Sequence, residues 1–309
     1  MIDVRRLRVL RAVAHYGTVT AAAEALHFTP SAASQQIRQL GRELDVTLLE
    51  PHGRRVRLTP AALGLLEHAD AIEARWERAE AELRMADRAP AGLLRLAGFP
   101  VAVSRLLAPT VAALRERHPR LTARVRELEP HEAFDELFDG EVDLTVVEAV
   151  ASNPPSGDSR FDQRPLLDDP FDLLVHQDHP LAARDEREPG SVALADAARE
   201  EFVLSMPGVT CREHVMSACG AAGFNPQVSH YALEWNAVAN LVAHDLGVAL
   251  VPRLACLSEQ LPVRRVRLGS APRPRRKLIT VTRSGADANP AVTAALEELE
   301  RVAGQLDTA

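Results

Sequence analysis

The sequence predicts an α/β chain in three parts: an N-terminal winged helix-turn-helix, a long linker helix, and a C-terminal α/β domain of two subdomains. Three observations predict it. Two short helical stretches over Thr20–Leu40 surround a tight turn, and an arginine hairpin, Gly53-Arg54-Arg55-Val56-Arg57, follows twelve residues later. Apolar residues then recur at alternating steps of four and three from Leu65 to Ala86, and from Leu93 short apolar strands alternate with helical stretches. At 309 residues the chain has length for a small head and a second domain with a sizeable core.

In the head, Thr20 is the expected cap of the first short helix, with Glu24 in its first turn, and the small Ala22 and Ala23 let a second helix cross closely. Thr29 and Pro30 supply the N-cap and N1 proline of that second helix. On a 3.6-residue wheel Ala33, Ile37, Leu40 and Leu44 form an apolar stripe. Ser31, Ser34, Gln35, Arg38 and Arg42 fall opposite, and such side chains hydrogen-bond base edges in a major groove. A solvated amphipathic helix pair gives the same pattern. The hairpin weighs against that alternative: Arg54, Arg55 and Arg57 gather three guanidinium groups beside a turn expected at Pro51-His52-Gly53, suiting phosphates or a narrow minor groove. Residues 1–60 carry nine arginines against five acids, net +4, so the rest holds −11 of a chain total of −7. A basic head on an acidic body is expected if the head alone meets a polyanion.

Thr59-Pro60 starts the linker helix, expected to run to about Arg88, with Leu65, Ala69, Ile72, Trp76, Ala79, Leu83 and Ala86 as a heptad seam. A second copy of the helix is the expected partner of Leu65, Ile72, Trp76 and Leu83; the chain's own second domain is the alternative. Pro90 and Ala91-Gly92 mark the boundary. Beyond it, LLRLAG, LTARVREL, VDLTVVE, FDLLV, EFVL, VSHYA, GVALVP and LITVTR read as strands. Helical stretches begin near Ser104 and His131, cover Cys211–Ala222 and Ala237–His244, and close the chain from Pro290 to about Gln305. The alternation favours a parallel sheet with ligands beyond the strand ends. The expected boundaries are 1–59 for the head, 60–89 for the linker and 90–309 for the body. The body divides into subdomain I, about 90–163 and 267–309, and subdomain II, about 164–266, with crossings near 161–168 and 260–268.

Catalytic constellations are absent. Lys277 stands in Arg-Lys-Leu rather than a phosphate loop, there is no Gly-x-Ser-x-Gly elbow, and Asp135 occupies the second histidine position of a zinc helix begun by His131-Glu132. His176, Asp178 and His179 read as a solvated loop. No enzyme, cofactor or metal is expected. Neither a secretory segment nor an eighteen-residue apolar run is present, so a soluble, cytoplasmic chain without membrane contact is the expectation. Three cysteines, Cys211, Cys219 and Cys256, have no metal spacing and form no even framework.

The run from Leu7 to Leu66, with LRVLRAVAHYGT, AAAEALHFTPSAASQQIRQLGREL and LLEPHGRRVRLTPAALGLL, resembles the N-terminal domain of the LysR-type transcriptional regulators. It departs from the common pattern at Pro30-Ser31, Ala33, Pro51 and Ala62; the first of these bears on base preference. Leu106-Leu107-Ala108-Pro109, Gly140–Leu144, Asp178–Ala182 and Leu246–Pro252 resemble signposts of the family's effector-binding domain, itself similar to periplasmic binding proteins. The resemblance implies DNA contacts from Thr29, Pro30, Ser31, Ser34, Gln35, Arg38, Arg54, Arg55 and Arg57. It also implies a dimerisation role for the linker, with a homodimer or homotetramer presenting paired heads. Double-stranded promoter DNA, a small-molecule effector and RNA polymerase are the other implied partners. The implied effector positions are Phe99, Pro100, Val101, His131, Ser205 and Met206. Free helix N-termini there favour a small anion, while Val101 makes the pocket more apolar. Cys211 and Cys219 lie where peroxide-sensing members carry a reactive pair, so a redox regulator is one alternative and an effector-independent DNA protein another. Eight residues apart on one helix, their α-carbons are roughly 12 Å apart, beyond disulfide reach.

Overall fold

A computed structural model of the chain describes residues 3–52, 55–84, 89–207, 209–269 and 273–307. Its head packs α1 (Val4–Tyr16), α2 (Val19–Ala25) and α3 (Pro30–Leu44) around Leu7, Leu10, Val13, Ile37 and Leu40. The α2 cap is Thr18, whose hydroxyl accepts from Ala21 N at 3.1 Å; Thr20, the expected cap, lies exposed within the helix, and Glu24 falls in its last turn. Thr29 caps α3 as expected, accepting from Ala32 N at 3.2 Å ahead of Pro30. Between the two helices His27 takes the left-handed conformation, φ 56°, and Phe28 N donates to Ala23 O at 2.7 Å, closing the turn. A side chain at Gly41 would bring Cβ to 2.6 Å from Val46 O, so the chain leaving α3 requires glycine there.

The wing is an antiparallel pair, β1 (Leu49–His52) with β2 (Arg55–Leu58). Pro51 and His52, expected in the turn, are instead ladder residues opposite Val56 and Arg55. Gly53 and Arg54 lie outside the described residues. Thr59 ties the wing to the next helix: its hydroxyl donates to Thr47 O at 2.6 Å and accepts from Ala62 N at 3.2 Å.

Helix α4 (Pro60–Arg84) has two different faces. Leu66 and Ala69 are buried in the head, which also half-covers Leu65. Leu65 and Ala69 are therefore engaged within their own chain, whereas Ile72, Trp76 and Leu83 are 47, 61 and 78% exposed. Across the helix, Glu77 accepts from Arg283 Nη2 at 2.9 Å, and Gly285, at φ 87°, lies so close that a Cβ would meet Ala74 O at 2.3 Å. Ala86 lies outside the described residues.

In the body, β3 (Gly92–Gly98) leads into α5 (Pro100–Ala102), a wider turn over Val103–Leu107, and α6 (Ala108–Arg117), so the helical run starts at Pro100 rather than Ser104. Then come β4 (Leu121–Glu127), α7 (Pro130–Asp139) and β5 (Leu144–Glu148). Strand β6 (Phe161–His176) crosses into the second half, which holds α8 (Pro180–Arg187), β7 (Glu201–Leu204), α9 (Thr210–Ala221), β8 (Gln227–Tyr231), α10 (Trp235–Ala243), β9 (Ala249–Pro252) and β10 (Val263–Val266). Strand β11 (Arg275–Arg283) and α11 (Pro290–Asp307) return to the first half. The principal sheet is mixed rather than parallel: β3 pairs parallel with β4 and β5, but β11 runs antiparallel to both β5 and β6. One long strand serves both halves, because β6 pairs with β11 over Phe161–Pro170 and with β9 and β10 over Phe171–His176. The return crossing also falls later than residues 260–268: Val263–Val266 is still paired with the second half of β6, and the chain re-enters the first sheet at Arg275. Among the described residues no helix is long and apolar enough to cross a membrane.

Candidate nucleic-acid interface and effector cleft

Helix α3 buries Ala33, Ile37 and Leu40 and leaves Ser31, Gln35, Arg38 and Arg42 exposed, with Ser34 half-buried beside them. Ser31 is fixed by a 3.0 Å hydrogen bond between its hydroxyl and that of Thr29. Arg57, on the neighbouring wing strand, is exposed and donates to Glu50 at 2.8 Å through Nε. Arg55 belongs to the same strand, and Arg54 lies outside the described residues. Helix and wing thus offer hydrogen-bond donors on exposed elements held by a shared apolar core.

The expected effector positions are less uniform. Phe99 and Val101 are core residues of subdomain I, packed with Leu106, Leu107 and Leu254, and Pro100 is the first residue of α5. His131 is exposed at the start of α7, where Glu132 already accepts from the N-cap Glu129 N at 3.2 Å, so that terminus carries its own acid. In the second half Ser205 is buried, its carbonyl accepting from Arg212 Nη1 at 3.0 Å, while Met206 is 54% exposed. The N-cap of α9, Val209, supplies no side-chain oxygen, and the first turn of that helix carries Arg212 and Glu213.

Sequence reasoning missed the charged centre of the hinge. Arg276 at the start of β11 forms ion pairs with Glu148, at the end of β5, and with Asp169 of β6, Nη2 to Oδ2 2.8 Å. His214 of α9 lies 3.2 Å from Glu148 and joins subdomain II to this group. Leu254 N donates to Asp169 at 3.1 Å, and the Arg276 guanidinium sits 5.0 Å above the Phe99 ring. Burial alone would raise the Glu148 carboxyl, but the His214 hydrogen bond and the Arg276 charge hold it below the usual range. Asp169 is pushed up, burial outweighing Arg276. These residues are separated by twenty to more than a hundred positions, and only strand order brings them together.

A second missed feature joins head to body. The His15 ring of α1 stacks on Phe138 of α7, centroids 4.1 Å apart at 8°, with Nε2 2.7 Å from Asp135 and Nδ1 2.7 Å from Arg160. Tyr16 donates to Asp139 at 2.6 Å. Arg160 is itself held by Asp158 at 2.7 Å, so the histidine sits between an acid and a fixed guanidinium.

Residues 4–63 match the bacterial regulatory helix-turn-helix proteins of the lysR family, and residues 87–304 match the LysR substrate binding domain. The chain belongs to the LysR family. It is a DNA-binding transcriptional regulator with a C-terminal effector-binding domain. Among curated LysR-type relatives, a probable hydrogen peroxide-inducible genes activator of Mycobacterium avium is 32% identical, covering 90% of this chain and 87% of that protein. The hydrogen peroxide-inducible genes activator of Dickeya chrysanthemi is 29% identical over 92% and 90%. Solved structures share the fold: a Corynebacterium glutamicum OxyR C206 mutant has a TM-score of 0.62 at 22% identity, covering 99% of this chain and 94% of that one. Full-length BenM has a TM-score of 0.61 at 23% identity, covering 99% and 98%.

Proposed function

We propose that this LysR-family regulator reads double-stranded promoter DNA with α3 and its wing, as a dimer joined through α4, and responds to a small molecule in the inter-subdomain cleft. The observation that carries the reading is the exposed, acid-free row Ser31, Gln35, Arg38 and Arg42 beside Arg57, on a helix whose other face is buried. Ser34, Gln35 and Arg38 enter the major groove; Thr29, Pro30 and Ser31 set the helix entry; Arg54, Arg55 and Arg57 grip the backbone. The free stretch of seam from Ile72 through Trp76 to Leu83 is the dimer contact, since three large apolar residues so exposed need a partner. Charge reversal at Arg38 together with Arg54 is expected to lower promoter affinity at least roughly tenfold at moderate salt. Footprinting that shows unchanged occupancy ends this reading.

The effector site lies between the Phe99-Pro100-Val101 start of α5, His131 and the Ser205-Met206 segment before α9. Arg212, in the first turn of α9 beside Glu213 and donating to the Ser205 carbonyl, is the cation nearest that segment and supports a small anion there. A Ser205→Ala, His131→Ala double variant is expected to lose its ligand response in promoter binding.

The names of the curated relatives raise a redox reading through Cys211 and Cys219. The structure gives it little support: both thiols lie on the unbroken helix α9, and burial pushes Cys211 up to about 12 and Cys219 up to about 11. Thiols held protonated react slowly with peroxide. A change in operator affinity on peroxide treatment that Cys219→Ser abolishes would reinstate the redox reading.

A further inference from the structure

We infer a second small-molecule site, separate from the cleft positions above, in the cavity between α9 and Arg273-Pro274-Arg275, and it takes a small apolar monocarboxylate. The cavity measures about 340 Å³, within the range of metabolite sites. Phe171, Leu194 and Leu268 supply apolar lining. The α9 wall is Ala218, Ala221 and Ala222 with Ser217, side chains short enough to leave the space open on one face of the helix.

The rim is cationic. Arg273 and Arg275 both line the cavity, and no aspartate or glutamate does so among the described residues. Arg275 is already paired with Asp168 at 2.9 Å. Arg273 is exposed and has no acidic partner among the described residues, so its guanidinium is available to a ligand carboxylate in a two-pronged contact. Among the described residues Arg273 is the one lining cation without an acidic partner, and over an apolar floor it selects a single negative charge on a hydrocarbon or aryl body. Among the described lining residues a polyanion would find no second guanidinium without an acidic partner, and a neutral molecule would leave Arg273 unused.

The cavity also touches the hinge. His214 lines it, its ring 6.0 Å from that of Phe171, and the same side chain reaches Glu148 at 3.2 Å. A ligand against His214 therefore contacts one end of the Glu148–Arg276–Asp169 group that ties β5, β6 and β11 together. Binding here adds stability to the arrangement that holds the two halves of the body.

Calorimetric titration of the full chain with phenylacetate and with hexanoate tests the site, using phenylacetamide as the uncharged control. Both carboxylates are expected to bind saturably, phenylacetamide at least roughly tenfold more weakly. Arg273→Gln is expected to weaken the carboxylates by about the same factor, and Ala221→Leu, at an exposed lining position, to abolish binding by filling the cavity. The Ser205→Ala, His131→Ala variant should bind phenylacetate like the parent chain. Absence of saturable binding by either carboxylate up to about 10 mM overturns the inference, as does binding indifferent to Arg273→Gln and Ala221→Leu. If the Ser205/His131 variant alone loses phenylacetate, the acid occupies the cleft: the second site falls and the cleft reading stands.

Discussion

The outward face of α3 and the hinge of the body use arginine in opposite ways. Arg38 and Arg42 project from a helix with their guanidinium groups exposed, while Arg276 is 2% exposed between two carboxylates and above an aromatic ring. A charge left in water costs nothing to keep and is available to a partner; a buried one is tolerable only when its neighbours satisfy it. The first arrangement makes a surface that waits for DNA phosphates and bases. The second makes a joint whose two halves are held by groups drawn from β5, β6, β11 and α9, so that movement of α9 is felt at Glu148.

Breaking the joint gives the largest expected effect. Arg276→Met leaves Glu148 and Asp169 buried without their cation and should destabilise the body by about 3–5 kcal/mol, read by chemical denaturation. The pH dependence has a definite sign. Because Glu148 is held below its unfolded value of about 4.3, it contributes stability that is present above that pH and lost as the pH falls through the lower folded value. Glu148→Gln should therefore flatten the acid limb of a stability profile, and an unchanged limb would show that the carboxylate contributes nothing through its pairing.

At the open surface a smaller and different loss is expected. Arg38→Ala should cost about 1–3 kcal/mol in promoter binding and relax preference at one base position, as removal of a base contact does. Arg57→Ala should instead weaken all sequences alike and reduce the salt slope by about one. Arg57 is paired with Glu50 in the free protein, so Glu50→Gln should raise non-specific affinity by releasing it. If Arg38→Ala behaves like Arg57→Ala, the helix grips backbone and does not read bases.

The contrast also explains what was legible in the sequence. Elements that local chemistry determines were readable: the Thr29-Pro30 start of α3, the apolar stripe through Ile37 and Leu40, the heptad run of α4 and the alternating strands of the body. Ile72, Trp76 and Leu83 could be picked out because a seam shows in spacing alone, although Leu65 turned out half-covered by its own head. Phe99 and Val101, which the resemblance implies for the cleft, turn their side chains into the subdomain I core, a packing that their spacing in the sequence does not reveal. Arg276, Glu148, Asp169 and His214 carry no pattern, since their meeting depends on β11 inserting between β5 and β6. The same holds for His15 and Phe138, which are 123 positions apart by their numbering and stacked at 4.1 Å.

That stack offers a finer test of how head and body communicate. His15→Ala removes the stack on Phe138, an aromatic pair worth about 1 kcal/mol, together with the ring's Asp135 and Arg160 contacts, and leaves Phe138 in its body cluster. Calorimetry should show the head melting earlier, while the body transition, anchored by clusters that exclude His15, stays where it was. A single transition shifted as one unit would mean that head and body fold together and that the junction is no hinge.

The smallest expected effect discriminates most sharply between neighbouring residues. Threonines at positions 18 and 20 are both plausible caps by composition, and residue type alone favours neither. What decides is Gly17, at φ 73°, which ends α1 and lets the chain turn so that Thr18 takes extended backbone, φ −140° and ψ 152°, the geometry a cap needs. Thr18→Ala should therefore cost about 1 kcal/mol and raise amide exchange at Ala21, because that N–H loses its acceptor. Thr20→Ala, at an exposed helical position, should be neutral or slightly stabilising, since alanine is the better helix former. Equal losses from the two substitutions would put the helix start two residues later and shift the angle at which α2 supports α3.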